Sequence, residues 1–531
     1  MMKHGIAAPR PLRQHLSALS CTLFGAFLAL TLATLLLVPR TIAQHYPSTL
    51  METPNILLIA WSVLLLTGAA ALCRRADRAQ RYRMQDARER SFRLLLCAGF
   101  ALMFVLQRAL ADHIYFRTGW DVATMHDHAM QLARGARTDL NDWYYNTYPN
   151  NVTLTHLLAA LYRLGDRLGA PEQLLLIFTN AAVGGSVVLA VLCVYRLTRS
   201  RFAACFALAV GTVLIALSPW EIIPYSDALM MPFPVLMLFC DLYIHPRWVR
   251  YPLMTLLAVA GYYIKPTAMI PLIALALLRA VPAAADVLRR RIPLRRAAAV
   301  LLLAALAAGG AAGARNLLIG PDRARFSDPA HFTATHYLMM GLNDTTDGVY
   351  SHDDVDYSCS FSDVASRQQG EWAEFVRRLG ELGVGGVFKL WTKKNLANYN
   401  DGTFAWLREG GFFSVVPQDG RKLTQTLRRA YYWDAQYYTG ASRYQTFCMV
   451  EQTVWLMVLL GGVCACFGRL RTRRAVGALA LSLFGVSLFL LIFECRARYL
   501  YPFSPLYLVL AAVGVHSLAH RGERDLDEED E

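Results

Sequence analysis

Residues 92–135 read FRLLLCAGFALMFVLQRALADHIYFRTGWDVATMHDHAMQLARG, and the change of character inside that run decides the fold. Residues 92–114 are apolar for the length of a bilayer crossing, which takes about 20 residues of α-helix. Past Ile114 the chain turns polar: Gly119-Trp120-Asp121 is followed by Met125-His126-Asp127-His128-Ala129 and then Gly135. A hydrophobic helix that ends in carboxylates and histidines delivers them to a membrane surface, where irregular backbone and charge are tolerated.

The rest of the chain repeats the first half of that pattern. Of 531 residues, 55% are hydrophobic and only 17% charged, with a mean hydropathy of +0.31, which excludes a soluble protein of this length. Further apolar runs cover residues 17–38, 55–73, 174–197, 202–218, 228–242, 251–264, 267–278, 297–319, 449–467, 476–493 and 501–518. The reading is an all-α polytopic membrane protein with about twelve transmembrane helices. Five stretches follow from it: residues 1–114 with helices one to three, an external loop at 115–173, helices four to nine at 174–319, a large external segment at 320–446, and helices ten to twelve with an acidic tail at 447–531.

Charge sets the expected orientation. The arginine-rich loops at residues 74–93, 196–201, 247–250, 289–296 and 469–474 fall on one side if the two short helices flanking Lys265-Pro266 are counted as a pair, and that side is cytoplasmic by the positive-inside rule. Both termini are then cytoplasmic in a multi-pass protein of the cell membrane. The net charge of +14 sits largely in loops that face anionic headgroups, so it calls for membrane lipid and not for nucleic acid. Eleven cysteines lie mostly within the apolar runs, which excludes a disulfide framework, and no CxxC pair offers metal spacing.

In the first external loop, Val122, Met125, Ala129 and Leu132 recur at helical spacing, so Asp121 is an N-cap or its neighbour. Pro149-Asn150-Asn151 starts a second helix whose stripe is Leu154, Leu157, Leu158 and Leu161. Both read as helices lying along the membrane surface.

Trp120-Asp121, Ala129 eight residues after the aspartate, Gly135 fourteen after it, Tyr144-Tyr145 and Tyr148-Pro149 together resemble the first external loop of GT-C superfamily glycosyltransferases, closest to the protein O-mannosyltransferase and aminoarabinose transferase group. The resemblance extends to Pro219-Trp220 through Tyr225-Ser226-Asp227, to Ile264-Lys265-Pro266-Thr267 and to Arg496-Ala497-Arg498-Tyr499-Leu500-Tyr501-Pro502, all external by the charge argument. It implies a transferase that takes a hexose or pentose from a polyprenyl-phosphate-linked donor and gives it to an extracytoplasmic glycan, lipid or protein acceptor, with Asp121 as the catalytic base. Where that family often carries a second acid next to the first, this chain has Val122.

The residues support their own reading beside the resemblance. Glycosyl transfer from phosphate needs a base for the acceptor proton and cations for the departing phosphate. Lys265 is the only one of six lysines near a predicted helix core, and with Arg498 and Arg496 it is the candidate donor-phosphate site. Each has a bland alternative: a snorkelling lysine at a helix end, and interfacial arginine anchors. Asp121 and Asp227 are equally readable as helix caps. Asp127, His128, Tyr148, Asn150, Asn151, Tyr225, Asp227 and Glu494 complete the substrate-binding candidates.

His126 and His128 point to different faces of a helix, so they do not build a chelate, and a divalent metal cofactor stays open without assigned ligands. Asp353-Asp354-Val355-Asp356 lacks the glycine and terminal glutamate of a calcium loop and reads as a solvated turn. Two other classes fit the same composition: a secondary transporter, which usually shows two similar halves not seen here, and a non-catalytic membrane protein of envelope assembly.

Overall fold

The computed structural model describes residues 10–39, 53–81, 85–135, 142–288, 294–320, 331–406, 413–432 and 442–521. The arginine run at 289–293 and the acidic tail at 525–531 lie outside the described residues. The first membrane block is α1 (Arg10–Leu37), α2 (Asn55–Arg81) and α3 (Gln85–Ile114). The loop after α3 follows as β1 (Arg117–Thr118), α4 (Trp120–Ala133), α5 (Asp142–Thr147) and α6 (Asn151–Leu168). The second block contains α7 (Pro171–Thr198), α8 (Arg201–Gly211), α9 (Ser226–Met230), α10 (Pro232–Tyr243), α11 (Arg247–Tyr262), α12 (Met269–Leu288) and α13 (Leu294–Ile319). The large segment folds as α14 (Ala334–Gly341), α15 (His352–Cys359), α16 (Val364–Tyr399), β2 (Phe413–Val415) and α17 (Lys422–Tyr431), and the chain closes with α18 (Ser442–Cys466), α19 (Arg474–Ile492) and α20 (Ser504–Ala519).

Among the described residues, nine helices are long and apolar enough to cross a membrane, the last of them running Ala497–Ala519. All twelve apolar runs of the sequence are helical, but three fall short of that length: Arg201–Ala216, Arg247–Tyr262 and Pro266–Pro282. The protein is therefore an all-α polytopic membrane protein, with nine helices of full spanning length among the described residues. The shorter helices stop at breaks in the chain. A π-turn at Thr212–Ala216 and a 3-10 turn at Pro219–Ile222 end α8, and Lys265 with the 3-10 turn Pro266–Ala268 separates α11 from α12. One small sheet departs from the all-α reading, with β1 and β2 antiparallel at Arg117↔Val415 and Thr118↔Phe413.

The bundle is organised around α20, whose residues are buried on every side, while Leu94, Leu95, Leu102 and Val105 of α3 and Leu301, Leu302 and Leu306 of α13 are exposed. Exposed leucine rows on a spanning helix are the lipid-facing surface. Close packing of α18 on α20 rests on small residues: a Cβ on Gly514 would stand 1.9 Å from the Gly461 carbonyl oxygen, so no larger side chain fits there.

The described parts of the segment 320–446 pack on the bundle. Gly341 lets α14 meet the end of α19, where a Cβ would fall 2.3 Å from the Ile492 carbonyl oxygen. Lys394 of α16 reaches into the same junction, fully buried, and donates to the carbonyls of Gly341 (2.9 Å) and Phe493 (2.6 Å). Lys265 is thus not the only lysine in the interior. The acidic run 353–356 is likewise not a solvated turn. It opens α15, capped by Ser351, and buried Asp354 pairs with Arg378 at 2.6 Å to tie α15 to α16.

Candidate functional site

Trp120 begins α4 in a left-handed conformation, φ +52°, which costs a non-glycine residue of the order of 1 kcal/mol or more and persists only where neighbours hold it. Its indole nitrogen donates to Thr118 Oγ1 at 2.9 Å, and its ring meets Tyr225 edge-on at 5.3 Å. The cap position belongs to Gly119, so Asp121 is a first-turn residue and not the N-cap. The Asp121 carboxylate instead interacts with the Tyr225 hydroxyl and with Arg498, Arg496 and Glu494. Burial pushes its pKa above the ordinary aspartate value against the lowering effect of the two arginines.

The second carboxylate, Asp227, lies in the first turn of α9 and is buried. Pro219 and Pro224 break the chain between α8 and α9, so α9 starts at the same end of the bundle as α4, with Asp227 facing the neighbouring segments. Oδ1 takes the Lys265 ammonium, and Oδ2 lies 3.2 Å from Arg498 Nε. Arg498, on the 3-10 turn Ala497–Phe503, is held in an aromatic cage: its guanidinium carbon stands 4.4 Å from the Trp120 ring centroid, 5.6 Å from Tyr225, 5.7 Å from Tyr499 and 5.8 Å from Trp220. Lys265 Nζ sits 4.1 Å above the Tyr499 ring. Both cations are therefore fixed by packing as well as by charge.

A third pair closes the group. Arg496 Nε lies 2.9 Å from Glu494 Oε1 and its guanidinium covers the Tyr350 ring at 5.4 Å, while the Tyr499 hydroxyl donates to Glu494 Oε2 at 3.4 Å. The Glu494 amide is pinned to the Tyr337 carbonyl at 3.0 Å, which carries α14 to the site. Tyr144, Tyr148, Tyr337 and Tyr350 all feel the Asp121 charge, and burial raises each of their phenol pKa values. Asn151 Nδ2 donates to the Tyr144 hydroxyl at 2.7 Å and Asn150 Nδ2 to Asn151 Oδ1 at 3.1 Å, so these two asparagines support the tyrosine wall.

The structure thus brings together Asp121, Tyr148, Tyr225, Asp227, Lys265, Glu494, Arg496 and Arg498 from separate parts of the chain. It sends two other candidates elsewhere. Asp127 is exposed and loosely paired with Arg117 at 3.8 Å, and His128 is turned to the Tyr145 hydroxyl at 3.2 Å. His126 is bonded to the Tyr162 hydroxyl (2.8 Å) and the Pro224 carbonyl (3.3 Å), and burial drops its pKa to about 4, so it is neutral. Helical geometry accounts for part of this: His126 and Asp127 fall on other faces of α4 than Asp121, with His126 against α6 and the loop before α9, whereas His128 returns to nearly the same face two turns further along the axis, where it meets Tyr145 of α5. Sequence reasoning missed Tyr337 and Tyr350, because nothing in the segment 320–446 distinguishes two tyrosines that only docking brings to Asp121.

The arrangement suits an anion better than a metal. Asp227 and Glu494 already have basic partners, Val122 stands where a second acid next to Asp121 would be, and the aromatic cage presents Arg498 and Lys265 as a fixed cationic pair. Three carboxylates, Asp121, Asp227 and Glu494, face the three cations Lys265, Arg498 and Arg496, so the formal charges of the group balance while Lys265 and Arg498 are held together at one point.

Comparison with curated proteins and with solved structures gave no match for this chain. A family model described as "Conserved hypothetical integral membrane protein" matches residues 13–518. That stretch takes in nearly all of the bundle and every residue of the site just described, so the chain belongs to this family of conserved integral membrane proteins.

Proposed function

We propose that the protein is a GT-C-like glycosyltransferase that moves a sugar from a polyprenyl-phosphate-linked donor to an acceptor outside the cytoplasm. The observation that carries the reading is a carboxylate of raised pKa, Asp121, beside the caged Arg498, which Asp227 joins to Lys265, at one end of an apolar bundle. The donor's lipid tail stays in the bilayer while its phosphate enters between the cations. Asp121 takes the proton of an acceptor hydroxyl, the freed oxygen bonds to the anomeric carbon, and the carbon–oxygen bond to phosphate breaks. The leaving polyprenyl phosphate carries the electron pair, and Lys265 and Arg498 stabilise its charge. A single displacement inverts the anomeric centre. Arg496 and Glu494 border the same space, and the tyrosines supply stacking faces for sugar rings.

About twelve crossings, with the three shorter helices included, surface-lying α4 and α6, and cytoplasmic termini belong to the same proposal. They place the site on the outer side, where lipid-linked sugars are presented. Comparison of lipid-linked sugars and envelope glycans in cells with and without the gene tests the reading. The donor should accumulate and one glycan modification should vanish. Unchanged pools of both would contradict it.

A further inference from the structure

The far end of the bundle holds a second cluster of chemically capable side chains. It lies where α2 gives way to α3, and the 30 residues of α3 put it about 45 Å from the Asp121 end. Cys73 and Asp77 are four residues apart on α2; His516 on α20 and His520 just past its end have the same spacing. The i,i+4 spacing puts each pair on one helix face, and the packing of α2 on α20 brings the faces together. All four residues are buried, and their donor atoms lie within 4.8 Å of one another.

Asp77 is the hub. His520 Nε2 is 2.9 Å from Asp77 Oδ2 and Cys73 Sγ is 3.4 Å from the same oxygen, while the Ser200 hydroxyl donates to Oδ1 at 2.7 Å. His516 Nδ1 points at the cluster, 3.4 Å from Asp77 Oδ2, and this buried nitrogen makes no hydrogen bond of normal geometry among the described residues. A buried donor atom left in that state is costly, and a metal ion at the centre would satisfy it.

We propose that Cys73, Asp77, His516 and His520 form a tetrahedral site for one divalent cation of the zinc class. The donor set selects the ion: one thiolate, two imidazoles and one carboxylate oxygen suit zinc, whereas calcium and magnesium take oxygen shells. Charge agrees. When Cys73 releases its thiol proton to solvent, thiolate and carboxylate together balance a dication, so the buried site becomes neutral. Four protein ligands leave no open position, which makes the role structural. The ion clamps α2 to α20, and Ser200, the N-cap of α8, holds the carboxylate from behind and joins that helix to the clamp.

One neighbour opposes the ion and gives a specific test. Arg469 lies 3.0 Å from His516 Nε2, and a guanidinium only donates, so that contact fixes the ring proton on Nδ1. Ligation through Nδ1 moves the proton to Nε2 and parts the contact. Arg469→Gln, which offers a carbonyl to an Nε2–H, should therefore tighten binding.

The experiment is metal analysis of tag-free, full-length protein in detergent, followed by titration with cobalt(II) as a spectroscopic stand-in for zinc. The expected result is one zinc retained per chain and a four-coordinate cobalt spectrum with a thiolate charge-transfer band. Cys73→Ser should lose that band, and His516→Gln with His520→Gln should lose the spectrum. Removal of zinc from the wild-type protein with a chelator should lower its unfolding temperature, a readout that needs no variant to fold. Monodisperse wild-type protein that holds no zinc, gives no tetrahedral cobalt spectrum and ignores the chelator would overturn the proposal and leave Asp77 as a hydrogen-bond hub. None of these readouts depends on glycosyl transfer.

Discussion

Asp227→Asn separates the two readings of the cationic pair. If Asp227 is only a residue of the first turn of α9, asparagine serves about as well as aspartate at a helix start and stability should hardly change. In the structure, however, Lys265 and Arg498 share this one carboxylate, and the side chains of Lys265, Arg498 and Asp227 are 14%, 5% and 3% exposed. Solvent screening is weak at such burial, so the modest worth of surface ion pairs does not apply. Removing one partner of a buried pair costs about 3–5 kcal/mol, because the charges left behind stay desolvated. The lower end of that range is a shift of roughly 100-fold in the unfolding equilibrium. Unfolding of detergent-solubilised protein, followed by tryptophan fluorescence with and without a short-chain polyprenyl phosphate, measures it. The variant should be destabilised, and the phosphate should stabilise it more than it stabilises the wild type, since it returns an anion to the two cations. An asparagine variant that unfolds like the wild type and shows no added response to the phosphate would refute the assignment of Lys265 and Arg498 as a phosphate clamp.

Other outcomes follow from the same geometry. Because burial raises the Asp121 pKa and the base must be ionised, kcat/KM should fall as pH drops through a limb lying above the usual aspartate range, and Asp121→Glu should move that limb while Tyr148→Phe should not. Burial lowers the Lys394 pKa to about 8 from 10.5, so between those values the unfolded chain binds more protons than the folded one; stability should rise as pH climbs through that window, and Lys394→Met should remove the rise in a pH series of unfolding temperatures. For orientation, native Cys359 is exposed and should react with an impermeant maleimide from outside intact cells, whereas Arg78→Cys and Arg471→Cys should react only after permeabilisation; labelling of all three from one side would end the topology.

The membrane class was legible because apolar runs of bilayer length have few other uses, and each of them is a helix in the structure. The short helices on either side of Lys265-Pro266 were legible as well, whereas window hydropathy does not see the π-turn and the prolines Pro219 and Pro224 that cut the chain between α8 and α9. Those same breaks put Asp227 and Lys265 where they meet Arg498. Asp121 was legible as a site residue from the abrupt polarity after α3, but its true partner Tyr225 is about a hundred positions away and is set by how α9 docks. Asp127 and His128 were candidates beside Asp121; Asp127 lies on another face of α4 and His128 two turns further along the helix, so both meet other neighbours. The cluster of Cys73, Asp77, His516 and His520 went unread because its two halves are separated by most of the chain, although each half shows the same i,i+4 spacing.

The most direct test of the account is single-turnover transfer by purified protein in liposomes loaded with a polyprenyl-phosphate sugar, comparing the wild type with Asp121→Asn. Asparagine keeps the size of the side chain at the start of α4 but cannot take the acceptor's proton, so donor binding should persist while release of polyprenyl phosphate slows by about 100-fold or more, the usual loss when a general base is removed. Release at the wild-type rate by a well-folded Asp121→Asn protein would contradict it.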